Sequence, residues 1–170
     1  MEFKELIRRR YSVRSYLPAP VSEEALERIL EAGRLAPTAA NRQPFRIVVL
    51  DARGRPEGLG RVYARPWFLQ APLVICVCGV PEEAWVRKDG RSHLDVDAAI
   101  VMDHIILAAT EEGLGTCWVC AFDEAKAKAI LGVPPEARVV AMVTLGYSDG
   151  SPPRPFARKP LADLVHWERW

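Results

Sequence analysis

Apolar residues recur along the chain at two spacings, and the spacing separates helices from strands. Phe3, Leu6 and Ile7 lie on one side of a helix predicted over Glu2–Arg9. Pro18 and Pro20 then hold the backbone extended. Ser22 is a good N-cap with Glu23 and Glu24 behind it, and Leu26, Ile29, Leu30 and Gly33 continue at helical intervals until Pro37 stops the run. The strongest helical repeat is Ala98, Val101, Met102, Ile105, Ile106 and Ala109, closed by Gly113. Shorter apolar runs predict strands at Phe45–Leu50, Leu73–Gly79, Thr116–Cys120 and Arg138–Gly146, the second apolar enough to be central. A Gly- and Pro-rich turn at Asp51–Gly60 leads to a short helix near Val62–Gln70, and another helix is predicted at Glu124–Leu131. The charged stretch Glu82–Arg91 is predicted to be a mobile excursion. The Pro-rich run Ser151–Pro155 and the segment Leu161–Trp170 close the chain.

Helices and strands are mixed without strict βαβ alternation, which favours an α+β or mixed-sheet sandwich over a doubly wound fold. The segment Gly54–Gly60 lacks the G-x-G-x-x-G order, so no dinucleotide fingerprint is present. No repeat or linker divides residues 1–170, and a chain of 170 residues can bury roughly 70% of its unfolded surface as one domain. Lys and Arg total 23 against 22 Asp and Glu, and a net charge of +1 argues against a general nucleic-acid binder. The longest apolar stretches, Ala71–Val80 and Ala98–Ala109, are too short or interrupted to span a bilayer, and no export signal opens the chain. The expected location is the cytoplasm, with no nucleic-acid or membrane partner.

Four cysteines allow two chemistries. Cys76 and Cys78 with Cys117 and Cys120 would, as a C-x-C plus a C-x-x-C, offer zinc or iron–sulfur ligands, or the second pair a redox dithiol. The stronger reading is buried, reduced thiols with no metal site. Cys76 and Cys78 share one face of a Val- and Ile-rich strand, where free Cys behaves as a small hydrophobe.

Three further features could carry chemistry. Arg10, Ser12 and Arg14 alternate just after a helix, so in extended chain two guanidiniums and a hydroxyl would grip a phosphate. The plainer alternative is a solvated basic turn. Asn41, the one Asn of the chain, and Gln43 could read sugar hydroxyls or a heterocycle edge, or could simply cap their own loop. The run Gly113–Ala121 joins a helix stop to a strand, and its glycines would let backbone approach a flat ligand. An ordinary helix-to-strand turn is the alternative.

Taken together and in order, these segments resemble the FMN-dependent nitroreductase family along nearly the whole chain. The family's R-R-S-V-R opening is met by Arg10-Tyr11-Ser12-Val13-Arg14, with Tyr11 the one departure. Its A-P-S-A-x-N-x-Q-P-W loop is met by Ala36-Pro37-Thr38-Ala39-Ala40-Asn41-Arg42-Gln43-Pro44-Phe45. The G-L-G-x-x-W strand is met by Gly113-Leu114-Gly115-Thr116-Cys117-Trp118, and the R-K-P-L close by Arg158-Lys159-Pro160-Leu161. The resemblance implies a three-layer α/β/α sandwich with a mixed, largely antiparallel central sheet. It also implies a homodimer with two tightly bound FMN molecules at the interface, and a C-terminal extension, 151–170, that crosses it. Arg10, Tyr11, Ser12 and Arg158 would meet the phosphate and ribityl chain, and Arg14 the pyrimidine edge. Asn41 and Gln43 would sit near ribityl or ring polar atoms. Pro37, Thr38 and Ala39 would pack on the flavin of the other subunit, and Trp118, Val119, Cys120 and Ala121 would run past the ring.

The implied activity is hydride transfer from NADH or NADPH to the flavin and on to a nitroaromatic or quinone-like small-molecule acceptor, in ping-pong fashion, with no protein acid or base. His93, His104 and His166 then have no catalytic part. Alternatives on the same fold are a flavin-dependent dehydrogenase, ene-reductase or dehalogenase, or a flavin-binding protein without turnover.

Overall fold

The structure is a computed structural model that describes residues 1–54, 56–153 and 157–170. Four strands form one sheet: β1 (Phe45–Asp51), β2 (Leu73–Gly79), β3 (Gly115–Val119) and β4 (Arg138–Gly146), in the order β1-β2-β4-β3. Every pairing between these strands is antiparallel. A single parallel bridge, Ser12 to Thr116, makes the sheet mixed among the described residues. β2 lies between β1 and β4 and is buried from Val74 to Gly79, as its continuous apolar run requires.

Helices cover both faces, which gives three layers. Alternate residues of the strands, including Ile75, Val77, Val143 and Leu145, pack against α2 (Glu23–Arg34) and α5 (Leu94–Glu111). Their neighbours Val74, Cys76, Cys78 and Met142 pack against the apolar sides of α3 (Pro56–Val62), α4 (Pro66–Gln70) and α6 (Glu124–Leu131). The α1 helix (Phe3–Arg9) rests on α5.

Local chemistry sets the helix ends. Ser22 Oγ accepts the Ala25 N–H at 3.2 Å, and Asp123 Oδ1 accepts the Lys126 N–H at 3.1 Å. Gly113, at φ 76°, turns the chain out of α5 so that the Leu114 N–H reaches the Ala109 carbonyl at 2.8 Å.

Two expectations need correction. The single short helix near Val62–Gln70 is two helices, and the first begins inside the supposed turn Asp51–Gly60. Pro56 opens α3 at a position that tolerates proline, and a Cβ on Gly58 would lie 3.6 Å from Ile130 of α6, so packing overrides the poor helix propensity of the glycines. Pro66 starts α4 afresh because Arg65 before it is extended, at φ −118° and ψ 129°. Glu82–Arg91 is not a loose excursion. It holds a 3-10 turn at Pro81–Glu83, a bridge between Val86 and Ser92, and an Arg87–Asp89 ion pair across the tip. Of the charges that suggested mobility, Arg87 and Asp89 pair with each other and Glu83 pairs with Arg46 of β1.

Arg55 of the predicted turn, and Arg154 and Pro155 of the Pro-rich run, lie outside the described residues. Among the described residues, no helix is long and apolar enough to cross a membrane.

Candidate functional site

The polar segment after α1 forms a strap at the β3 edge of the sheet. Arg10 closes the helix, its N–H bonded to the Leu6 carbonyl at 3.0 Å, and the chain then runs extended. The Val13 N–H donates to the Thr116 carbonyl at 2.8 Å, and the Leu17 N–H to the Tyr147 carbonyl at 2.9 Å. Val13 is buried while Ser12 and Arg14 on either side are half-exposed, so alternation works as predicted. Gly115 makes this fit possible: a Cβ there would stand 2.6 Å from Val13 Cγ2 and 2.9 Å from Val13 Cβ. The glycine admits the strap.

Tyr16 anchors the far end of the strap. Its hydroxyl donates to the Val13 carbonyl at 2.9 Å and shares a 2.6 Å hydrogen bond with Thr144 Oγ1. Burial pushes its phenol far above the usual range, so it stays a neutral donor. The Arg14 guanidinium lies 5.8 Å from the centre of a Trp67 ring and donates to the Ser12 carbonyl at 3.4 Å, which fixes its direction. Beside the strap opens a cleft of about 240 Å³, lined by Arg9, Arg10, Tyr11, Gly113, Gly115 and Ser148 among others. Tyr11 reaches across to Ser148, with 3.4 Å between their hydroxyl oxygens.

The second polar segment lies between α2 and β1. Pro37, Asn41 and Gln43 are exposed and Thr38 and Ala39 half-exposed. Ala40, Asn41 and Gln43 adopt φ values of 51°, 53° and 52°, the left-handed region that residues with a Cβ avoid. The Gln43 N–H donates to Thr38 Oγ1 at 3.0 Å, and Gln43 Nε2 to the Asn41 carbonyl at 3.0 Å. The Gln43 amide thus closes its own loop through Nε2.

The third segment follows β3. Its ladder ends with the Val119–Met142 pair, beyond which Cys120 and Ala121 are exposed. The Trp118 indole N–H donates to Cys120 Sγ at 2.9 Å. Three of the four thiols are buried as expected, and Cys120 is not, because it follows the last paired residue of the strand. Burial pushes the Cys78 thiol up to about 11 and Cys76 higher still, which makes both inert. Among the described residues, no group of three or more His, Cys, Asp or Glu is placed to hold a metal ion.

These segments are not all adjacent. β3 and β1 are opposite edges of the sheet. Thr116 pairs with Leu145 near one end of β4, whereas Phe45 pairs with Gly79, itself paired to Arg138 at the other end. Four inter-strand steps, counting the one from the strap to β3, and seven residues of rise put the strap and the 37–43 loop roughly 30 Å apart across a diagonal of the sheet. Arg158 sits on the exposed tail, donates to the Ala157 carbonyl at 3.4 Å, and is not among the residues lining the Arg10 cleft. Sequence reading missed Asp97, which accepts the Ala39 N–H at 2.9 Å. A carboxyl group on the apolar stripe of the strongest helix was the available signal.

A sequence model of the nitroreductase family matches residues 7–63 and 55–147. The chain belongs to the nitroreductase family. A nitroreductase family protein of Clostridium difficile 630 is 36% identical, with a TM-score of 0.89 and 100% of both chains covered. An FMN-dependent nitroreductase of Clostridium difficile R20291 is 26% identical at a TM-score of 0.79, over 97% of this chain and 98% of the other. The NADH dehydrogenase of Thermus thermophilus is 28% identical over 98% of this chain and 96% of its own. The strap and the 37–43 loop both fall inside the matched nitroreductase region, and the tail beyond residue 147 falls outside it.

Proposed function

We propose that the protein is an FMN-dependent oxidoreductase that takes a hydride from NADH or NADPH and delivers electrons to a nitroaromatic or quinone-like acceptor. The observation that carries this reading is the strap: two arginines and a hydroxyl stay half-exposed above Val13 and Tyr16, which are locked into the core. Such a row fits a phosphate joined to a polyol and a polar-edged ring. FMN, when bound, supplies the redox chemistry; the protein supplies placement and charge.

Arg10 and Ser12, with Tyr11 at the cleft wall, would hold the phosphate and ribityl chain, and Arg158 would join them from the tail. Arg14, directed by Trp67, would set a fixed positive charge against the pyrimidine edge of bound FMN, where reduction adds electron density. The peptide N–H groups from Trp118 through Val119 and Cys120 to Ala121, where the ladder ends, would face the opposite edge. None of these groups needs to give or take a proton. Asn41 and the turn Pro37-Thr38-Ala39 would cover the ring, with Gln43 holding their shape. Their distance from the strap supports a homodimer in which a second copy brings its loop to the first copy's strap. The tail supports it too: Leu161, Leu164, Val165, Trp167 and Trp170 are exposed, the two tryptophans at 87% and 105%, and residues 151–170 would cover them by crossing the partner.

The visible spectrum of the purified protein is the test. Flavin bands, FMN released on denaturation, NAD(P)H oxidation with an added quinone and a dimer in sedimentation are the expected results. A protein that refuses added FMN overturns the reading, and a monomer that binds FMN tightly overturns its two-copy site.

A further inference from the structure

The 38–43 loop holds an unfavourable backbone, and such a backbone persists only where its surroundings over-determine it. Its internal bonds, Thr38 to Gln43 and Gln43 to Asn41, close the loop on itself without fixing it to the body of the protein. The Phe45 N–H, donated to the Gln43 carbonyl at 2.8 Å, only joins the loop to the strand that continues it. Among the described residues, one hydrogen bond links residues 37–43 to an element distant in sequence. It is the Ala39 N–H donated to Asp97 Oδ1, at 2.9 Å and 58 positions along the chain.

Asp97 is an odd occupant of its place. It stands in the first turn of α5, on the stripe that buries Leu94, Ala98 and Val101, and is 1% exposed. Among the described residues its Oδ2 is buried with no hydrogen-bond partner. The positive end of the helix compensates an acidic group in part, yet a buried polar atom left unpaired costs stability that an apolar residue would not. The loop gains its one distant tether, at Ala39, the residue immediately before the left-handed pair Ala40 and Asn41.

We propose that Asp97 is a positioning residue for the flavin site: by fixing Ala39 it presents Thr38, Ala39 and Asn41 in the shape that covers the ring. This rests on the FMN reading. Asp97 acts through the loop backbone and touches no reacting atom. Its removal therefore weakens FMN binding without weakening the apo fold, the reverse of what an ordinary core residue does.

The experiment titrates full-length wild type, Asp97→Ala and Asp97→Asn with FMN by fluorescence and melts each apo protein. Asp97→Ala is expected to raise the FMN Kd about tenfold, the size of one lost hydrogen bond, with an apo Tm equal to or above wild type. Asp97→Asn keeps a carbonyl oxygen for the Ala39 N–H and is expected to restore most of the affinity. Wild-type FMN affinity in Asp97→Ala overturns the inference alone. So does a fall in apo Tm that matches the loss of affinity, or an asparagine variant as weak as the alanine one. A wild type that takes no FMN overturns the flavin reading and this inference with it.

Discussion

Residues 11–16 cross the edge of the sheet with Val13 and Tyr16 sunk into it, whereas residues 38–43 contain no buried side chain. The first segment takes its shape from the core. Val13 fills the space beside Gly115, and Tyr16 bonds the buried Thr144 near the end of β4. The second takes its shape from a few polar bonds and three left-handed residues. Packed segments tolerate loss of a hydrogen bond but not a change of volume, because interiors are close-packed. Tethered segments behave the other way. Two parts proposed for one ligand therefore differ in what breaks them.

The largest expected effect is on packing at the strap. Gly115→Ala puts a methyl group 2.6 Å from Val13 Cγ2, and overpacking of that kind costs about 1–3 kcal/mol. That is a fall in Tm of roughly 2–12 °C for a chain of this size. Adding Val13→Ala should recover part of it. An unchanged melt for Gly115→Ala would mean that the strap is not pressed on β3.

Next comes the strap's outward face. Arg10→Ala should weaken FMN binding by about 1.5–3 kcal/mol, the usual worth of a hydrogen bond to a charged group, while the apo Tm stays at the wild-type value. Equal FMN affinity in the two proteins would return Arg10 to the solvated-turn reading.

The smallest effect belongs to the loop. Ala40 at φ 51° carries a left-handed penalty of about 1–2 kcal/mol that glycine escapes, partly offset by glycine's entropy. Ala40→Gly should thus raise the apo Tm by a few degrees, about 1–3 °C. A lower Tm would show that the loop owes its shape to something other than its tethers, and would erase the contrast with the strap.

The two segments also differ in how much of them the sequence discloses. Alternation alone predicts which of Ser12, Val13 and Arg14 turns inward, since an extended chain must place neighbours on opposite sides. The long helix was legible from its sustained helical period, and the four strands from short apolar runs bounded by turn residues. The α3 helix was not, because Gly58 and Gly60 argue against it and only contact with α6 outweighs them. Asp97 was not singled out either: helical spacing puts it on the buried stripe, but its partner Ala39 is fixed by tertiary structure alone. The partner of Gly115 was hidden too, since a glycine in a strand signals close approach without saying of what.

The diagonal between strap and loop has a consequence for inheritance. In a site shared by two copies, a chain with a ruined strap and a chain with a ruined loop are each useless when paired with themselves. Paired with each other, they assemble one site with both defects and one with neither. Two alleles that each abolish function would then, pairing at random, together restore a quarter of the sites, and a chain with a ruined loop would spoil the site at its healthy partner's strap.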